Sequence, residues 1–456
     1  MSALKQSVKQ SVLSHPLLFV FVVAISIRLV VAIAVAVFHN GSYFPDDSGY
    51  LDMAGEWARS ETEDWTVGMD GLWTGNASFL VPVGVFFYLF GSYPILGQVL
   101  SVVAGSVVAT GAVALVRPHV SRGASVLTGC IIAILPSQIL WSSLILKDAF
   151  SWMSLVLIGL TLRWWNKQRN TVGWAKGFFL LACLTFYLAH LRVHTLITAC
   201  IAIAISIALT VPRQRLARLG AVLILVAVMP ISAGAGLFGV YGLPLGGGGL
   251  ASKRASLAAH ANTAVVEWEM ALADTAEELP VQPIIKNTVS ASNGASPAAH
   301  ANTAAVEWEM AWAYTAERPP AQHVIKDTIS AFPADLLYLP KGLRVILIDP
   351  LPNHLKRSPN LKYPFAELLL WYPMLVLGLF GGWAIVKQRN AAAGELVYAL
   401  FVIGGLAIMW GMVEGNFGTA YRHRGELVWG IAVLDGIGID YLLSRRQPSP
   451  TAVEKQ

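Results

Sequence analysis

Long apolar runs separated by short polar turns dominate the chain. Leu17–Phe38 is 22 residues interrupted only by Ser26 and Arg28. At about 1.5 Å of rise per residue it reaches about 33 Å, enough to cross a hydrocarbon core of about 30 Å. The same pattern predicts ten crossings, at 16–38, 94–116, 123–140, 144–165, 174–190, 192–211, 217–240, 364–386, 394–413 and 425–443. The apolar run 79–91 is short and reads as re-entrant or interfacial. The expected fold class is an all-α polytopic membrane protein of about ten transmembrane helices, with a largely helical extracytoplasmic segment.

The polar stretches divide this plan. Residues 1–240 read as an N-terminal membrane domain whose first outer loop, 39–77, is acidic. Residues 241–362 form one long outward segment, 363–444 the C-terminal membrane helices, and 445–456 a cytoplasmic tail. The outward segment holds a tandem duplication. Residues 258–290 align with 298–330 at an offset of 40, and 23 of 33 aligned positions are identical. Within each copy, apolar residues recur at helical spacing. Two copies are too few for a solenoid, so the unit reads as a duplication inside one loop.

Composition agrees with the pattern. Charged residues are 13% of the 456, against about 25% in soluble domains. Mean hydropathy is +0.59. The basic residues set an orientation. In the short loops, 16 Lys and Arg fall on one side of the plan and 5 on the other. The positive-inside rule then expects both termini in the cytoplasm, within a bacterial inner membrane. The basic pI follows from this topology, and no basic stripe interleaved with aromatics points to nucleic acid. Ala34 and Ala36 imitate a signal-peptide cleavage site, but the apolar run is longer than such peptides carry, so it reads as an uncleaved anchor. Cys130, Cys183 and Cys200 lie in apolar runs without metal or disulfide spacing.

Candidate chemistry gathers in the outer turns. Loop 39–77 holds eight acidic residues against Arg59. It opens Phe44-Pro45-Asp46-Asp47-Ser48-Gly49-Tyr50. Asp47 or Ser48 can cap a helix running through Arg59. On that helix Tyr50, Met53, Ala54 and Trp57 share one face, as on a helix lying on a membrane surface. Adjacent carboxylates at headgroup depth suit a general base or a divalent metal ion bridging a phosphate. Lys147-Asp148 and Arg192 lie at two further outer turns, where each charge is either functional or one half of an ion pair. Arg28, inside the first span, is expected to face the bundle and neutralise a carboxylate. The last outer turn runs Glu414-Gly415-Asn416-Phe417-Gly418-Thr419-Ala420-Tyr421-Arg422-His423-Arg424. Arg422 and Arg424 can each fork onto phosphate oxygens. Leu339-Pro340-Lys341-Gly342-Leu343-Arg344 reads as a basic interfacial segment.

Arg28, the Phe-Pro-Asp46-Asp47-Ser-Gly-Tyr50 opening, the Pro136 to Asp148 turn and the Asn416 to Arg424 turn together resemble the GT-C superfamily of integral-membrane glycosyltransferases. That group includes protein mannosyltransferases and lipid A aminoarabinose transferases. The resemblance implies transfer of a sugar from a polyprenyl-phosphate donor to a glycan, lipid or protein acceptor in envelope polysaccharide synthesis. Asp46 or Asp47 would be the base, with a divalent metal ion at that pair if any. Arg422 and Arg424 would hold the leaving phosphate, with Tyr50, Lys147, Asp148, Arg192, Arg344, Glu414, Asn416 and His423 as further binding residues. Two features depart from the family. Its acidic pair is often Asp-Glu, where this chain has Asp-Asp, and the duplication is additional. A lipid-linked sugar transporter or flippase, and an O-antigen-type polymerase, are the competing readings.

Overall fold

The computed structural model describes residues 14–60, 77–168, 170–210, 220, 328–351, 362–387, 393–413 and 417–445. The expected crossing at 217–240, apart from residue 220, and the duplicated segment, apart from residues 328–330, lie outside them. Glu414 and Asn416 lie outside them too. Every regular element among the described residues is a helix.

In chain order these are α1 (Pro16–Phe38), α2 (Pro45–Ser60), α3 (Ala77–Phe90), α4 (Pro94–Val116), α5 (Arg122–Ile134), α6 (Pro136–Ser142), α7 (Asp148–Lys167), α8 (Thr171–Ala189), α9 (Val193–Thr210), α10 (Thr328–Leu347), α11 (Lys362–Lys387), α12 (Gly394–Val413) and α13 (Phe417–Ser444). Six are long and apolar enough to cross a membrane: α1, α4, α8, α11, α12 and α13. The count rises to seven if the bent pair α5 and α6 is one span. These helices point to a bilayer environment. The expected count of ten is not reached among the described residues. The helix α9 is apolar but shorter. Helix α7 is not among the six, because Ser151, Ser154 and Thr161 line its buried side and its ends are charged. The short α3 is about 21 Å long at helical rise, too short to cross alone.

Burial follows position in the bundle. In α1 the buried residues are Pro16, Val20, Ala24, Arg28, Ala32 and Val35, a single stripe of near-fourfold spacing. Leu18, Val22, Val30, Ile33, Val37 and Phe38 of α1 are exposed, an apolar surface suited to lipid. Helices α4, α7 and α13 pack on one another at the centre. Trp152, Trp165 and Trp429 are fully buried there.

Small residues let backbones meet where helices cross, as is common in membrane bundles. A Cβ on Gly381 would collide with the Leu434 carbonyl, and one on Gly438 with the Leu377 carbonyl. These two contacts close the α11–α13 seam. Gly342 of α10 likewise lies against the carbonyl of Gly411 in α12.

The break between α5 and α6 has a local cause. Proline lacks an N–H, so Pro136 cannot satisfy the Ile132 carbonyl four residues back, and Leu135 before it takes an extended conformation. The two helices diverge by 59°. Arg28 repairs the loss. Its guanidinium donates to the carbonyls of Ile132 at 3.1 Å, Ala133 at 3.4 Å and Ala24 at 3.2 Å, and to Ser142 Oγ at 2.7 Å. The expected carboxylate partner of Arg28 is thus replaced by a helix end with unpaired carbonyls.

Candidate functional site

One end of the bundle collects charges from four separate stretches of chain. The starts of α2, α7, α9 and α13 meet there, beside the end of α12. Asp148, at the first position of α7, is fully buried and takes both cations. Arg422 donates to Asp148 Oδ2 from Nε at 2.9 Å and from a terminal nitrogen at 2.8 Å. Its other terminal nitrogen binds Asp46 Oδ2. Arg192 pairs with Asp148 Oδ1 and, at 2.5 Å, with Glu426 Oε1. Glu426 Oε2 also accepts from Thr195 Oγ1 at 3.0 Å and Trp410 Nε1 at 3.2 Å. The result is one continuous chain of charges, Asp46–Arg422–Asp148–Arg192–Glu426. Its exposure is graded. The Asp148 and Glu426 side chains are 0% exposed, Arg192 8%, Arg422 15% and Asp46 50%. Asp46 is therefore the member that a ligand reaches.

Asp47 does something else. It is three residues past Phe44, which precedes α2, and its carboxylate turns back to the chain. It accepts from the N–H of Phe44 at 2.7 Å and of Tyr43 at 2.9 Å. This is the back-bonding half of a capping box. The helix begins at Pro45, so Asp47 lies within its first turn rather than at the cap position expected for Asp47 or Ser48, and its expected role as catalytic base or metal ligand conflicts with this geometry, because both oxygens hold the backbone. Burial pushes the Asp47 carboxyl up to about 6 from its ordinary 3.8, against the opposing pull of the backbone N–H groups of Tyr43, Phe44 and Ser48. Between about pH 4 and 6 the folded protein thus keeps a proton that the unfolded chain has released. Raising pH through that window should lower stability, with no further loss from this group above it. The Asp47→Asn variant should show a flatter melting temperature against pH over that range. An identical slope in both proteins would count against the assignment.

The face of α2 carrying Tyr50, Ala54 and Trp57 packs on α3 rather than on lipid. Tyr50 meets Phe79 edge-on at 5.3 Å, and Trp57 lies against Gly84, while Met53 is exposed. Burial raises the Tyr50 phenol to about 12, so it stays a donor, and it lies within the field of Arg422, Asp46, Asp148 and Arg192. Tyr50 therefore lies beside the chain of charges. Lys147 adjoins it beside Asp148. His423 stacks flat on Trp410 at 3.6 Å, and the Arg192 guanidinium lies 5.9 Å from the same ring.

Arg424 and Arg344 belong elsewhere. The last outer turn was expected to place Arg422 and Arg424 together. Instead α13 begins at Phe417, so the two lie on a helix two residues apart and point to different sides. Arg424 is 1% exposed and donates to the carbonyls of Ile346 at 2.8 Å, Asp349 at 2.5 Å and Val345 at 3.5 Å. It closes the C-terminus of α10, and Trp371 and Tyr372 donate to the neighbouring Leu347 and Ile348 carbonyls. A phosphate-holding role for Arg424 does not fit this placement. Arg344 is half exposed and its ion partner is Asp349 at 3.5 Å.

Several acids escaped the sequence reading, two of them beside the residues above. Glu426 and Glu367 sit inside stretches read as apolar spans. Glu367 accepts from Ser137 N at 2.6 Å, Ser137 Oγ at 2.8 Å and Tyr421 OH at 2.6 Å. A signal for Glu426 existed. It lies four residues past Arg422 and so shares its helix face, and an acid inside a span needs a cation.

Among the described residues no three His, Cys, Asp or Glu side chains gather as a metal site. The opposite end of the bundle carries its own ion group, in which Glu395 binds His119 at 3.1 Å and lies 3.7 Å from Arg163. No family model matches the chain, and no curated protein or solved structure is significantly similar to it.

Proposed function

We propose that this chain is a polytopic inner-membrane glycosyltransferase, taking a sugar from a polyprenyl-phosphate donor to a hydroxyl of an envelope glycan, lipid or protein acceptor. The observation that carries this reading is the Asp46–Arg422 pair. A reachable carboxylate and a guanidinium meet at one end of the bundle, with Arg422 braced from behind by Asp148. Those are the two groups the transfer needs. Asp46 takes the proton of the acceptor hydroxyl as its oxygen bonds to the anomeric carbon. The bond from that carbon to the phosphate oxygen breaks, the phosphate leaves with the electron pair, and Arg422 balances its charge. The motif resemblance to GT-C enzymes supports the same assignment, and it now rests on Asp46 and Arg422 rather than on both pairs.

In this reading the charged end faces away from the cytoplasm. The asymmetry of 16 to 5 basic residues supports that orientation, ten crossings and cytoplasmic termini. The test is sugar incorporation into envelope glycan by membranes whose only copy carries the variant. Asp46→Asn should lower the rate by about 10²–10⁴-fold, the usual worth of a general base. Asp47→Asn should keep most of it. Retained transfer in Asp46→Asn removes the base assignment.

A further inference from the structure

Resting on the anion-binding part of that reading, we infer that Asp46 is an internal counter-ion which a phosphate group displaces from Arg422. Three nitrogens of Arg422 make bonds. Two are committed to Asp148, which is fully buried and held by a second arginine. The third binds Asp46, whose side chain is half exposed. An incoming anion therefore competes with Asp46, the loosely held partner, and leaves Asp148 in place. The geometry suits exchange, because a guanidinium accepts a carboxylate and a phosphate oxygen through the same N–H donors. Phosphate esters are the anions found at headgroup depth, which is where the proposed orientation puts the starts of α2 and α13.

Release of Asp46 is not costly. It lies in the first turn of α2, where the partial positive charge of the helix start favours a carboxylate. The exchange also gives the site an order of events. The carboxylate is engaged while Arg422 is its partner and becomes a free proton acceptor when phosphate arrives. Substrate binding thereby prepares the base.

The test is isothermal titration of the purified full-length protein in detergent with two probes, a polyprenyl monophosphate and inorganic phosphate. Removing the competing carboxylate in Asp46→Asn should tighten binding of the polyprenyl monophosphate by about fivefold, the worth of a partly exposed ion pair. Asp46→Ser should do the same. Arg422→Gln, alone or with Asp46→Asn, should weaken it more than about tenfold. If inorganic phosphate responds to the variants in the same way, the phosphate group alone is the ligand. If only the lipid responds, the exchange holds for lipid phosphate. Unchanged or weaker binding in Asp46→Asn, with loss in Arg422→Gln, overturns the exchange and leaves the site intact. Wild-type binding in Arg422→Gln, or no binding of either probe, overturns the site with it.

Discussion

Arg192→Gln should cost the folded protein about 3–5 kcal/mol, the loss expected when one partner of a buried ion pair is removed. Arg192 is the sole guanidinium between Asp148 and Glu426 among the described residues, and both carboxylates are fully buried. Asp148 would retain Arg422, but Glu426 would keep only the hydroxyl of Thr195 and the indole of Trp410. Losses of that size are a large share of a total stability of about 5–15 kcal/mol. Most of the protein should then fail to run as a folded monodisperse species on size exclusion. Arg192→Lys should fall between, since an ammonium is a point charge and cannot fork onto two carboxylates. Adding Glu426→Gln to Arg192→Gln should restore part of the loss by removing the unpaired charge. An Arg192→Gln protein that melts like the wild type contradicts the network.

Gly342→Leu should separate α10 from α12. The Gly342 backbone rests on the Gly411 carbonyl, so any Cβ meets backbone rather than a movable side chain. Overpacking a close contact costs about 1–3 kcal/mol and often more where backbone must move. Helix α10 is also held by Arg424 through three carbonyls at its C-terminal end. Loss of the Gly342 contact should therefore loosen its middle first, seen as faster proteolysis within 328–347. Gly404→Leu, where nothing lies within 4 Å of the added Cβ, should leave the cleavage rate unchanged. Equal cleavage in the two variants would place α10 elsewhere.

The apolar spans were readable because lipid demands a long unbroken run, and α1, α4, α11 and α12 match the expected limits within two residues. Helix α7 was harder. Its centre, Leu155 to Leu162, is apolar, but Asp148, Ser151, Ser154, Arg163 and Lys167 towards its ends lower its mean hydropathy, and it starts four residues later than the expected crossing at 144–165. The gathering of Asp46, Asp148, Arg192 and Arg422 was partly readable, since charges at outer turns are rare and costly. The roles of Asp47, Arg424 and Arg28 were not. Each binds backbone groups whose need arises only from the fold: the start of α2, the end of α10, and the carbonyls freed at Pro136. Arg424 misled for a further reason. Residues 417–424 are polar and read as a turn, yet they continue as helix because carboxylates and helix-end carbonyls from other elements neutralise them. Glu367 and Glu426 were hidden because a single acid barely alters the mean hydropathy of a long window.

The most direct measurement concerns whether the start of the chain meets its last helix. In protein with Cys130, Cys183 and Cys200 replaced by Ala, Asp46→Cys and Arg422→Cys can be treated with a short bismaleimide in native membranes. A linker is needed because the two side chains together span more than a disulfide bridges. The expected result is an intramolecular link between residues 376 apart, found by mass spectrometry of the digest. Two thiols that each react with reagent but never join would contradict it, and with it the shared site at that end of the bundle.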